Sequence, residues 1–332
     1  MKLNLFPQNL DYLKHLLYEP ISKSLSCKTR VGNLFGIEIE NELTSKTLTP
    51  DFVQHLKNFK WRQEADGSLR GVGYEFISPP STKEMLLLFF KDLKPKLKGL
   101  RWSFSRRTSS HIHVNVADMT YHQLCKFVCL YWMTEGLLFE SVTNVRKDNT
   151  FCISKSLESK EILKNMLSSP MLGDDVGEED NQKYASLNFH PLRRFGTVEC
   201  RIFHSTFGAD MFDFWLSHLE DLKNFAMKKG TLTELKQLFI DLSPASFAKA
   251  IFSKSVFTRH VINCEKDNFD LEESLRRGFD FARSILNYGE VFKGLEDTFQ
   301  EIEKKASEMK QKNKIYVEEN AINDDWLDEL FA

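Results

Sequence analysis

Four short runs in this chain alternate residue by residue between apolar and polar side chains, and they limit its fold more than any other feature. In Phe35-Gly36-Ile37-Glu38-Ile39-Glu40, a period of two sends Phe35, Ile37 and Ile39 to one face of a strand and Glu38 and Glu40 to the other. Gly73-Tyr74-Glu75-Phe76-Ile77-Ser78 separates Glu75 from Tyr74 and Phe76 in the same way, behind a turn, Ala65-Asp66-Gly67-Ser68, that offers a further carboxylate. Ser110-His111-Ile112-His113-Val114-Asn115-Val116 turns Ile112, Val114 and Val116 inward and His111, His113 and Asn115 outward. Thr197-Val198-Glu199-Cys200-Arg201-Ile202 buries Val198, Cys200 and Ile202 and presents Thr197, Glu199 and Arg201. Any one of these is an ordinary half-solvated strand. The set is not, because its polar positions are Glu, His, Asn and Arg, with no lysine among them.

If the four strands are neighbours in one antiparallel sheet, four carboxylates converge, and their repulsion is relieved by bound cations. Carboxylate-dominated sites favour hard divalent ions, Mg²⁺ or Mn²⁺, and Mg²⁺ shares its coordination with phosphate oxygens, which points to a nucleotide. The histidines leave Mn²⁺, Fe²⁺ or Zn²⁺ open on composition alone. The chain has no P-loop, no G-x-G-x-x-G, no H-E-x-x-H and no G-x-S-x-G. A nucleotide would therefore be bound by metals and side chains on a sheet.

The spacing divides the chain into an amphipathic helix and polar linker over 1–30, a mixed region over 31–230, a helical region over 231–316 and an acidic tail over 317–332. The mixed region interleaves strands with helical runs at Lys83 to Leu97 and Tyr121 to Val142, an α+β order. Beyond Gly208 the helical runs are Phe212 to Met227, Thr231 to Leu242, Leu271 to Leu286 and Val291 to Lys312. The polar stretch Ser168 to Gln182 reads as a loop whose acids would favour a cationic amine, and the tail, with Trp326 and Phe331, as a disordered or protein-docking segment. With 45 basic and 47 acidic residues among 332, the formal charge of -2 argues against bulk nucleic acid. No leader and no membrane-spanning run is visible, and the six cysteines are scattered, so a cytoplasmic protein with reduced thiols is expected.

The segments GIEIE at 36–40, DGS at 66–68, GYEFISPP at 73–80, SSHIHVN at 109–115, Arg146-x-x-Asn149 and GTVECR at 196–201 follow the order found in the amidoligases of phages and bacteria. Over residues 33 to 220 the chain resembles that family, which belongs to the glutamine synthetase and glutamate-cysteine ligase superfamily of carboxylate-amine ligases. The resemblance implies a curved antiparallel sheet with helices on its convex face, and ATP with Mg²⁺, or Mn²⁺ in its place, on the concave one. By similarity Glu38, Glu40, Glu75, His111 and Glu199 would hold the metals, and His113, Asn115, Lys183 and Asn188 would lie on the nucleotide side. Arg201 would meet the transferring phosphoryl group, Arg146 the substrate carboxylate or a phosphate oxygen, and Asp66 a metal or the proton of the incoming amine. The reaction implied is amide or peptide bond formation between a small-molecule or peptide carboxylate and an amine through an acyl phosphate. Two other readings of the same residues are a metal-dependent hydrolase or phosphatase, and a non-catalytic phage assembly or adaptor protein.

Overall fold

The computed structural model describes residues 19–23, 30–43, 47–147, 149–150, 152–154, 184–228, 232–266 and 270–286, with positions 304 and 308. Seven strands form one antiparallel sheet: β1 Phe35–Leu43, β2 Arg62–Ala65, β3 Val72–Ile77, β4 Trp102–Ser103, β5 Ser109–Asn115, β6 Leu187–Asn188 and β7 Thr197–His204. Their order is β2-β3-β1-β5-β7-β6, with β4 pairing the far end of β1 beyond β5. The four alternating runs are thus β1, β3, β5 and β7, and they are consecutive neighbours.

A 3₁₀ turn, Ile21–Lys23, and ten α-helices complete the elements among the described residues: α1 Pro50–Asn58, α2 Lys83–Lys91, α3 Tyr121–Glu140, α4 Asn144–Lys147, α5 Pro191–Phe195, α6 Ala209–Met227, α7 Leu232–Asp241, α8 Pro244–Ile251, α9 Lys254–Lys266 and α10 Leu271–Leu286. Sequence-level signals set several ends. Thr120 and Gln123 form a reciprocal capping box that starts α3. Gly196, at φ +67°, takes the left-handed conformation that ends α5 and releases the chain into β7. Helix α2 stops at Lys91 rather than running to Leu97, since Pro95 has no N–H for a helical bond. Helices α1, α4 and α5 match none of the helical runs seen in the sequence, and α8 and α9 fall in the helical region over 231–316 without a run of their own.

The apolar sheet face, with Phe35, Ile37, Ile39, Ile112, Val114, Val198 and Cys200, is buried in one continuous hydrophobic core. Helices cover it: Phe52 of α1 meets Phe76 edge-on at 5.3 Å, and Trp215 of α6 stacks on Phe203 at 4.6 Å between ring centres. Helix α3 lies deepest, with most of its side chains buried, and α10 crosses it with backbones in contact. A Cβ added at Gly136 of α3 would stand 2.0 Å from the Ser274 carbonyl oxygen, and one at Gly278 of α10 would stand 2.2 Å from that of Met133. No described helix is long and apolar enough to cross a membrane. Cys125, Cys152, Cys200 and Cys264 are buried free thiols. Residues 1–18 of the expected N-terminal helix, Lys183, the loop 168–182, the run 291–312 apart from positions 304 and 308, and the tail 317–332 lie outside the described residues.

Candidate active site

Strand register turns the four one-faced runs into a single cluster. Glu40 stands opposite Glu75, Glu38 opposite His111, and His113 opposite Glu199. The side chains close the gaps: His111 Nδ1 lies 3.0 Å from a Glu199 oxygen and 3.4 Å from Glu38, and His113 Nε2 lies 3.1 Å from Glu38. The other ring nitrogen of His113 meets the Thr197 hydroxyl at 3.0 Å. Between Ser110 and Ile112 the pairing with β7 slips, so that Phe203 and Cys200 face them and the chain bulges at Arg201–Ile202. The bulge keeps Arg201 on the polar face, where Nη1 donates to Glu199, while Phe203 turns into the core.

This polar face is not washed by solvent. Glu40, His111, Asn115 and Glu199 are all less than a tenth exposed. Burial pushes the carboxyls of Glu38, Glu75 and Glu199 upward, and the neighbours decide the outcome. Glu38 is held well below the ordinary carboxylate range because hydrogen bonds from His111 and His113 outweigh its burial. Glu199 is likewise held at about 2 by Arg201 and His111. Glu75 goes the other way: burial, then the charge of Glu38, outweighs the pull of His111 and pushes it up to about 8. For His111, burial and Arg201 act downward, yet Glu40 and Glu199 prevail and carry it to about 9.

Glu38, Glu75 and His111 each offer a ligand atom within 4.8 Å of the others, and so do Glu38, His113 and Glu199. Glu38 belongs to both groups. Oxygen-rich sets completed by one imidazole fit a hard or borderline divalent cation, so the residues present suit the Mg²⁺ or Mn²⁺ that the resemblance implies. Glu40, expected as a ligand, is in neither group. It accepts the Ser109 hydroxyl, whose oxygen also lies 2.8 Å from His111 Nε2.

Four other expected contact residues hold the protein together. Arg146 is fully buried, and its guanidinium donates to the main-chain carbonyls of Arg201 and Ile202 at the β7 bulge. Asn115 donates its amide to the carbonyls of Arg30 and Gly32 and accepts from Ala117 N–H, fixing the segment that leads into β1. Asn188 donates to Glu199 and accepts from His190 N–H, which orients the carboxylate. Asp66 closes the β2–β3 turn by accepting the Ser68 N–H at 2.8 Å.

Two openings flank the cluster. A cavity of about 220 Å³ beside Glu38 and His113 has walls of Leu34, Ile77, Pro80 and Phe195, with Arg30 and Arg62 also lining it. A smaller one of about 100 Å³ on the Glu40 side is lined by Glu40, Ser68, Arg107, Ser109, Tyr184 and Arg201. The sequence reading missed Ser109, although it continues the His111 and His113 alternation by one step. It also missed Arg30, Arg62 and Arg107, which lie in a linker, on an edge strand and in a loop and carry no periodic signal.

A family model described as "Putative amidoligase enzyme" matches residues 28–222. No curated protein matches the chain. Among solved structures it is similar to a chain in the crystal structure of the complex between prokaryotic ubiquitin-like protein Pup and its ligase PafA, at 10% identity, covering 90% of this chain and 70% of that one, with a TM-score of 0.29. The family match takes in all seven strands and every residue of the cluster, and the chain belongs to the amidoligase family.

Proposed function

We propose that this protein is an ATP-dependent carboxylate-amine ligase that forms an amide through an acyl phosphate. The observation that carries the reading is the position of Glu38, shared by two ligand groups that lie on one sheet face with the Arg201–Glu199 pair. A carboxylate cannot expel oxide, so it needs a better leaving group before an amine can replace it. One of its oxygens attacks the terminal phosphorus of ATP, the bond to the bridging oxygen breaks, and ADP departs. The amine then attacks the acyl carbon, inorganic phosphate leaves, and the amine gives up a proton.

Phosphoryl transfer depends on positioning and charge neutralisation more than on covalent help. Glu38, Glu75, His111, His113 and Glu199 are the residues suited to hold divalent cations, which when bound would neutralise the phosphate oxygens. Arg201, fixed in direction by Glu199, faces the phosphoryl group. The larger cavity suits the nucleotide: its apolar walls accept a heterocycle, and Arg30 and Arg62 supply positive charge for the polyphosphate. Asp66, whose Oδ1 is taken by the turn, offers its second oxygen for the proton of the amine.

The test is incubation with ATP, Mg²⁺ and fractionated cell extract, following ADP, AMP and phosphate together. ADP and phosphate released in step with amide formation support the reading. AMP with pyrophosphate would move the chemistry to adenylation, and hydrolysis without nucleotide consumption would replace the ligase with a metal-dependent hydrolase.

A further inference from the structure

With Arg146 buried, the group that receives the carboxylate must be sought elsewhere. We infer, on the basis of the ligase reading, that the smaller compartment is the carboxylate site and that Arg107 is the residue that selects for it. The compartment is lined by two guanidiniums, two serines, a tyrosine and Glu40, and its volume of about 100 Å³ takes a compact oxyanion but not a nucleoside. Planar guanidinium forks match the two oxygens of a carboxylate.

The two arginines are not equivalent. Arg201 already faces Glu199, so its charge is largely matched, although its buried Nε donates to nothing among the described residues. Glu40 is a negative charge in the same lining, bound by Ser109. Arg107 supplies the cation that tips the balance toward an anion. Its Nη1 is anchored on the Ser68 carbonyl at 2.8 Å and its backbone N–H on Ser105 Oγ at 3.1 Å, which sets the fork in place before a ligand arrives.

The Arg146-x-x-Asn149 segment acquires a role here that the sequence did not suggest. Arg146 holds the backbone of Arg201 and Ile202, and Asn149 donates to the carbonyl of Arg106 at 2.6 Å, next to Arg107. One short segment therefore braces both arginines of the compartment. Arg146 and Asn149 are positioning residues, and Arg107 is the binding residue.

The experiment is ligand-observed NMR with acetate, glutarate and inorganic phosphate as probes, on the full chain with and without Mg²⁺ and a non-hydrolysable ATP analogue. Wild type is expected to bind the carboxylates both alone and together with the nucleotide analogue. Arg107→Met should weaken that binding at least about tenfold, Arg107→Lys should restore part of it, and Arg259→Met, at an exposed position of α9 outside both cavities, should leave it unchanged. Because Arg107 is exposed, the variant should melt like wild type, and a matching melting curve separates lost binding from lost fold. The inference is overturned if wild type binds neither carboxylate, or if Arg107→Met binds both as wild type does. It is also overturned if the ATP analogue displaces the carboxylates while Arg107→Met loses the analogue, since the compartment would then hold a phosphoryl group. Failure of the ligase reading looks different: no analogue bound and no ADP formed by wild type, whatever the carboxylates do.

Discussion

Arg146 donates two hydrogen bonds across the β7 bulge, one to the carbonyl of Arg201 and one to that of Ile202, from a position with no exposure to solvent. Replacing it with methionine removes both donors. Arg146→Met should lower stability by about 2–4 kcal/mol, and Arg146→Lys, which cannot fork, should recover only part. Urea midpoints measure both, and a loss below about 0.5 kcal/mol would mean that the bulge stands without its brace.

Glu38 is the residue common to both ligand groups, whereas Glu75 belongs to one. Glu38→Gln should therefore weaken Mn²⁺ binding, read by electron paramagnetic resonance, by at least about tenfold more than Glu75→Gln. It should also abolish cation-dependent ADP formation while the circular dichroism of the fold is kept. Equal losses in the two variants would remove the sharing role from Glu38.

The buried charges make stability depend on pH with a definite sign. Glu75 rises from an ordinary 4.5 to about 8 in the folded protein, so between those values the folded state holds a proton that the unfolded chain has lost. His111 behaves alike between 6.5 and about 9. Both contributions fall as pH rises, whereas His122, His204, His218 and His260, which burial holds below 6.5, act the opposite way below about pH 6.5. In a chelator, wild type should therefore lose stability relative to Glu75→Gln as pH rises from about 5 to about 8, and added Mg²⁺ or Mn²⁺, which replaces the protons, should oppose that loss. Urea titrations of both proteins at the two pH values would reject the assignment if the difference between them does not move in this direction.

The crossing of α3 and α10 leaves no room for a methyl group at either glycine. Gly278→Ala should cost about 2–4 kcal/mol, because the atom it meets is a backbone oxygen that cannot rotate away. Thermal melts would detect this as a lowered midpoint; an unchanged midpoint would show that the helices can slide apart without loss.

The part of the site that was legible in the sequence is the part built on strands. Period-two alternation placed Glu38, Glu75, His111, His113 and Glu199 on one face, and the register then had little freedom to separate them. The inward course of Arg146 was not legible, because spacing says which residue is cationic but not whether its long side chain turns outward or reaches back under a neighbouring strand. Asn115 and Asn188 share the polar face, yet their amides are engaged by a linker and by Glu199, tertiary partners far away in sequence or set by the fold. Arg107 comes from a loop whose course depends on Asn149 and Ser68, so no local pattern could announce it. The helices were legible where they were long and amphipathic; α8, of eight residues, was lost among neighbouring helical runs.

The meeting of α3 with α10 also bears on where this enzyme may be cut. Family likeness ends at residue 222, inside α6, while α10 begins at Leu271. Helix α3 lies within the matched region, and its glycine groove is shaped for a helix outside it. Trimming the chain to the recognisable portion would bare Met133, Gly136 and their surroundings to water, so the unit that folds is larger than the unit that is recognised.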